Sequence, residues 1–164
     1  MTTYTATGLN AGTTYEFKVE ARNSFDFSSP SEVLSLKASW FPEPPTTVTT
    51  NNVDANVEIS WSDPVSNGEP ITAYRIYIQE SGSATYIEET VDCIGNDVTL
   101  VSSRACSIAI ATLKAAPYSL AQGESISAKV ISINVYGESA LSDAGSGAVI
   151  QNIPDAPINL VNDL

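Results

Sequence analysis

Trp61, Pro64, Gly68, Ile71, Tyr74 and Ile76 form one run near the middle of the chain, W-x-x-P-x-x-x-G-x-x-I-x-x-Y-x-I. The segments on either side of its turn alternate. Val57, Ile59 and Trp61 fall on one face, with Glu58 and Ser60 on the other. Tyr74, Ile76 and Ile78 fall on one face, with Arg75, Tyr77 and Gln79 opposite. A period of two is the mark of a half-buried β-strand. Asn67-Gly68 punctuates the connection between the two strands. The same alternation occurs near the start, where Tyr15, Phe17, Val19 and Ala21 oppose Glu16, Lys18, Glu20 and Arg22. It returns at Ile126, Ala128, Val130 and Ser132. No stretch has capped helical spacing. The Ala-rich piece Ala109–Ala116 follows an alternating Ile108 and Ile110, so a strand running into a turn before Pro117 is expected there. The chain therefore reads as all-β.

The pattern also repeats. Leu9, Gly12 and Asn23 recur as Leu120, Gly123 and Asn134, at an offset of 111 residues. Phe41-Pro42-Glu43-Pro44-Pro45 recurs as Ile153-Pro154-Asp155-Ala156-Pro157, at an offset of 112. Two separate matches at nearly one offset indicate a duplicated unit. Its period is close to the ~100 residues of an immunoglobulin-like sandwich.

Together these residues resemble the fibronectin type III family. Val57-x-Ile59-x-Trp61 is similar to its second strand, with Trp61 as the core tryptophan. Ile71-x-x-Tyr74-x-Ile76 is similar to the third, and Pro42–Pro45 to the proline-rich lead-in. Leu9-x-x-Gly12-x-x-Tyr15 resembles the tyrosine corner, in which the hydroxyl bonds to nearby backbone. Asn23 with Ser28 and Ser31 resembles the turn into the last strand, and Asn134, Gly137, Ser139 and Ser142 repeat it. The resemblance implies immunoglobulin-like β-sandwiches in tandem. Residues 1–38 would close one module, 42–152 would form a complete one, and 154–164 would open a third. The closing half thus precedes the opening half. The residues expected to carry the fold are Trp61, Pro64, Gly68, Ile71, Tyr74, Leu9, Gly12, Tyr15, Leu120 and Gly123. Two departures stand out. Ile126 occupies the second corner-tyrosine position, which loses that hydroxyl bond and leaves Tyr118 as the nearby candidate to replace it. The central unit also carries an insertion at about residues 82–105.

Composition narrows the function. Nineteen acidic and seven basic side chains give a net charge of −12. Nucleic acid needs a basic face, and the seven cations are scattered. No apolar run is long enough to cross a membrane as a helix. Residues 1–20 lack the charged start and apolar block of a signal peptide. The chain has no histidine, which removes the commonest general base and metal imidazole. With no convergent nucleophile–base pair, neither catalysis nor a cofactor is expected. Glu43 and Asp155 sit at equivalent junctions, but hard cations need several oxygens brought together. Glu88-Glu89 is expected to be solvated charge on opposite strand faces. Lys18 and Lys129 point outward at equivalent positions, which does not suit a Lys–Asn isopeptide staple. There is no N-x-S/T sequon and no Arg-Gly-Asp, the adhesive tripeptide of the resembled family. Thr46, Thr47, Thr49 and Thr50 are expected on an edge strand.

Cys93 and Cys106 are the only cysteines, with twelve residues between them that include Gly95-Asn96-Asp97. That spacing suits a strand–turn–strand stapled at its base by a disulfide, which favours an oxidising compartment. Two buried free thiols are the alternative, and two thiolates are too few for a zinc site. Trp40 and Phe41, at the unit boundary, are expected either to pack the junction or to stand out as aromatic anchors. Phe25 and Phe27, in a turn, are expected to plug the same junction or to make a lateral contact. The insertion is expected to serve lateral contact, so that deleting residues 94–105 would weaken assembly and spare the fold. The expected role is structural and adhesive: a spacer and contact surface in an extracellular or cell-surface array, with other protein modules as partners. An intracellular cytoskeletal or ciliary scaffold, and an accessory module of a secreted enzyme, are the alternatives.

Overall fold

The computed structural model describes residues 3–151 and Ile158. Apart from Ile158, the strand expected over 154–164, Asp155 included, lies outside the described residues. The chain forms antiparallel sheets throughout. A two-stranded ribbon pairs β1 (Thr14–Phe17) with β2 (Leu34–Lys37). A sandwich follows. Its first sheet has the order β3 (Val48–Val53), β4 (Asn56–Trp61), β7 (Ala105–Ala109). Its second has the order β6 (Tyr86–Glu89), β5 (Ala73–Gln79), β8 (Ala128–Asn134), β9 (Gly137–Glu138).

Alternation decides which side chains are buried. Val57, Ile59 and Trp61 of β4 face Tyr74, Ile76 and Ile78 of β5, and all six are buried. Trp61 and Tyr74 meet edge to face, with centroids 4.9 Å apart. Such a pair adds about 1 kcal/mol beyond its area burial. On the neighbouring strands Ile108 of β7 and Ala128 and Val130 of β8, with Ile126 just before β8, complete the core. Ile71 is partly buried against that core.

The edge strand β3 is not left bare. The hydroxyl of Thr50, fully buried, donates to the Ile126 carbonyl at 3.0 Å and accepts from Ala148 N–H at 2.9 Å. The Asn52 amide both donates to and accepts from the backbone of Val149. Two polar side chains thus lace the edge of one sheet to the last segment of the other. These bonds occupy the backbone groups of Ala148 and Val149 that the last segment would otherwise offer to another chain.

Two sequence expectations are corrected. The piece after Ala109 is a short helix, α2 (Ile110–Lys114), not a continuing strand. Ile108, near the end of β7, is buried, Ile110 starts the helix partly buried, and Leu113 is the residue the helix buries. Between the cysteines lies α1 (Val98–Ser103), not a strand–turn–strand. Asp97 caps it, accepting from Thr99 and Leu100 N–H at 2.8 and 3.0 Å. Arg104, in the left-handed region, ends it.

Candidate functional site

The ribbon and the sandwich contain the same hairpin twice. In the first copy Ser31 Oγ accepts from Val19 N–H and Ser28 Oγ accepts from Ala21 N–H, both at 3.0 Å. In the second, Ser142 Oγ accepts from Val130 N–H and Ser139 Oγ from Ser132 N–H, at 2.9 and 3.1 Å. Each serine also donates onward to the carbonyl of the next residue. At the turns, Asn23 Oδ1 accepts from Phe25 N–H and Asn134 Oδ1 from Tyr136 N–H. Every partner keeps the offset of 111. Beyond Ser142 the offset becomes 112, as Gly12 N–H to Ala38 O answers to Gly123 N–H to Ile150 O.

The tyrosine-corner position differs between the copies. The Tyr15 hydroxyl accepts from Asn10 N–H at 2.9 Å. At the matching place the Ala121 N–H donates instead to the Glu124 carboxylate, which also accepts from Ser81 Oγ. Glu124, not Tyr118, replaces the lost hydroxyl. A Glu reaching back three residues to a backbone N–H is the geometry of a capping box. Tyr118 turns elsewhere: it is buried and donates to the Glu88 carbonyl at 3.4 Å. Burial, aided by the carboxylates of Glu89, Asp92 and Glu88, pushes its phenol up to about 12.

Residues 38–43 join ribbon to sandwich, and their backbone is held along its length. Trp40 N–H donates to Asn67 O, and Trp40 O accepts from Asn134 Nδ2 at 2.7 Å. Phe41 O accepts from Asn67 Nδ2 at 2.7 Å. Glu43 N–H donates to Val65 O, and Glu43 O accepts from Ser132 Oγ. Glu69 binds Lys37 Nζ at 3.1 Å and Ser39 Oγ at 3.2 Å. Asn67 and Gly68 both have positive φ, the pairing that a mirror-image turn demands. Gly68 is also fixed by proximity. A Cβ there would lie 2.6 Å from Gly12 N and 2.8 Å from Ala38 O.

Backbone, rather than rings, makes this junction. Trp40 is 65 % exposed and touches Phe41 edge to face, centroids 5.0 Å apart. The Phe41 ring lies over Gly137, where a Cβ would be 2.8 Å from its edge. Phe25 is 96 % exposed, and Phe27 is exposed with the Arg22 guanidinium 4.8 Å from its ring centre. Both rings are open to solvent at the ribbon's turn. Among the fold-signature residues, Leu120 is buried while Leu9 is exposed, and Gly12 and Gly68 meet at the junction. Pro64 is buried at the start of the turn that Gly68 closes, and Gly123 sits in the turn after Leu120.

Cys93 and Cys106 form a disulfide. Cys93 follows β6 of one sheet and Cys106 lies within β7 of the other, so the bridge staples the sandwich across its two layers. The segment between them carries the chain from sheet to sheet and buries Leu100. Its deletion would sever that crossing, so residues 94–105 are not a dispensable flap. Glu89 departs from expectation as well. It is 2 % exposed, and its carboxylate accepts from the N–H groups of Val91, Asp92 and Cys93. Glu88, its neighbour, faces outward to Arg75. Only Glu88 fits the expectation of solvated charge. Glu89 holds the turn that presents Cys93. Among the described residues no three His, Cys, Asp or Glu side chains are grouped to hold a metal, and no helix is long and apolar enough to cross a membrane.

The fold is an all-β, immunoglobulin-like sandwich of antiparallel sheets. A crystal structure of titin domains aligns over 81 % of this chain and 39 % of its own, with TM-score 0.53 and 18 % identity. The twitchin kinase region from C. elegans aligns over 69 % of this chain and 17 % of its own, with TM-score 0.50 and 21 % identity. No family model matches the chain. By sequence it is similar to a Kelch domain-containing protein of Saccharolobus solfataricus, 37 % identical over 84 residues, which is 51 % of this chain. A Kelch domain-containing protein of Sulfurisphaera tokodaii is 30 % identical over 82 residues, half of this chain. The matches span only 12 % and 11 % of the lengths of those relatives.

Proposed function

We propose that this chain is a segment of a tandem array of β-sandwiches, working as a spacer and as a protein–protein contact surface. Residues 1–38 are the closing hairpin of one module, 42–152 a complete module and 154–164 the start of another. One observation carries the reading: the same hairpin occurs twice at a fixed offset, covered by a second sheet in one copy and bare in the other. A bare apolar sheet face is poorly tolerated in isolation. Its natural cover is the opening half of a preceding module. Short linkers held on both sides, as residues 38–43 are, make a stiff spacer rather than a loose string.

The test compares amide exchange in this chain with that in the parent protein from its natural source. Tyr15 to Val19 should exchange fast in the isolated chain and slowly in the parent. Fast exchange in both would end the array reading.

We place the array outside the cell or at its surface, on the strength of the disulfide. Alkylation of natural material without reduction, read by mass spectrometry, tests this. A bridged pair supports an extracellular adhesive or filament array. Two alkylated thiols would move the segment into an intracellular scaffold. A second reading, an accessory module beside a different domain, draws on the two relatives, whose names carry a Kelch domain and whose length far exceeds the matched stretch.

A further inference from the structure

The two hairpins end in the same small platform, and among the described residues only the first is occupied. In the first, Gly12 N–H donates to Ala38 O at 2.8 Å and Ala38 N–H donates to Thr13 O at 2.9 Å. In the second, Gly123 N–H donates to Ile150 O and Ile150 N–H to Glu124 O, both at 2.9 Å. Gly12 and Gly123 share a left-handed backbone, with φ of +78° and +83°. The backbone of Gly68 sits against the first platform, close enough that its Cβ would strike Gly12 N and Ala38 O. A Cβ on Gly123 would meet nothing within 4 Å among the described residues.

We propose that the platform of Gly123 and Ile150 is a docking face for the Asn–Gly turn of a following sandwich of the same kind. This rests on the array reading above and adds the geometry of its joints. The incoming turn carries glycine at its second central position, because only backbone without a Cβ can close on Gly123 as Gly68 does on Gly12. An acidic residue follows it, as Glu69 follows Gly68. The ionic part is not copied. Register sets Val149 in the place of Lys37 and Gln151 in the place of Ser39. The far joint therefore lacks the Lys37–Glu69 pair and depends less on salt than the near one. The next carboxylate would receive an amide N–H from Gln151.

The experiment is a chain in which residues 40–151 occur twice in tandem, studied by NMR beside the unduplicated chain. The amides of Gly123 and Glu124 in the first copy should shift, and the two sandwiches should tumble as one body. Gly68→Ala in the second copy should return Gly123 to its original shift and free the two to tumble separately. Gly82→Ala in the second copy, also at positive φ but with nothing within 4 Å of its Cβ, should leave them coupled. Two well-folded sandwiches with Gly123 unshifted would overturn the docking face and leave the array reading intact. A second sandwich that fails to fold when placed after Gln151 would overturn both.

Discussion

The hairpin at residues 10–38 and the hairpin at 121–150 share their serine and asparagine turn bonds, yet they live in different surroundings. Val130 is fully buried and Val19 is 71 % exposed, although both donate to the same kind of serine hydroxyl. Ile126, in the second copy, is fully buried, while Tyr15, its counterpart, is half-buried. Hydrogen bonding alone therefore specifies the hairpin's shape. Burial depends on whether an opposing sheet is present. This separates what local sequence dictates from what only a partner layer supplies.

The largest expected break in the comparison is in the core. Ile126→Ala should destabilise the sandwich by about 4 kcal/mol, through lost burial and a cavity. Val19→Ala on the bare copy should change unfolding by no more than about 0.5 kcal/mol. Urea denaturation reads both, and equal effects would mean that the bare copy is covered in solution. Next is the staple. Reducing Cys93–Cys106, which closes a separation of 13 residues, should cost about 3 kcal/mol. It should also speed amide exchange in the second hairpin toward that of the first, because it loosens the sheet that covers it.

A smaller effect comes from the buried phenol of Tyr118. Below pH 10 it is protonated in both the folded and the unfolded chain. Between pH 10 and about 12 the unfolded chain loses the proton while the folded chain keeps it. Stability should fall across that window by about 1.4 kcal/mol per unit. Tyr118→Phe should remove most of the fall, leaving the part due to Tyr74, whose phenol burial also raises. The smallest effect sharpens the corner. Glu124→Ala should cost about 1–2 kcal/mol by stripping the partner from Ala121 N–H and Ser81 Oγ. Tyr15→Phe, at the exposed corner, should cost about 0.5 kcal/mol or less in the same assay.

Much of the fold was legible because period-two alternation survives wherever one face is buried. Val57–Trp61 and Tyr74–Ile78 declared both their strands and their inward faces. The turn serines and asparagines were legible too, since they recur at a fixed offset. The two helices were not. Six and five residues make less than two turns, too few for a 3.6-residue period to emerge. Asp97 read as turn punctuation, although the same residue type is a strong helix cap. Glu89 was misplaced because a carboxylate holding three backbone N–H groups looks, in sequence, like any acidic neighbour of Glu88. The junction was half legible. Asn67-Gly68 announced a turn, but nothing in it named Gly12 and Ala38 as what the turn would meet.

The two tryptophans make the chain its own optical gauge. Trp61 lies sealed in the core, and Trp40 stands in solvent on the linker. A dissolved quencher such as iodide should therefore dim only the red-shifted emission of Trp40. Sandwich unfolding should be read from Trp61, and any partner that settles on the linker from Trp40. With no third indole in the sequence, the two signals separate without a dye.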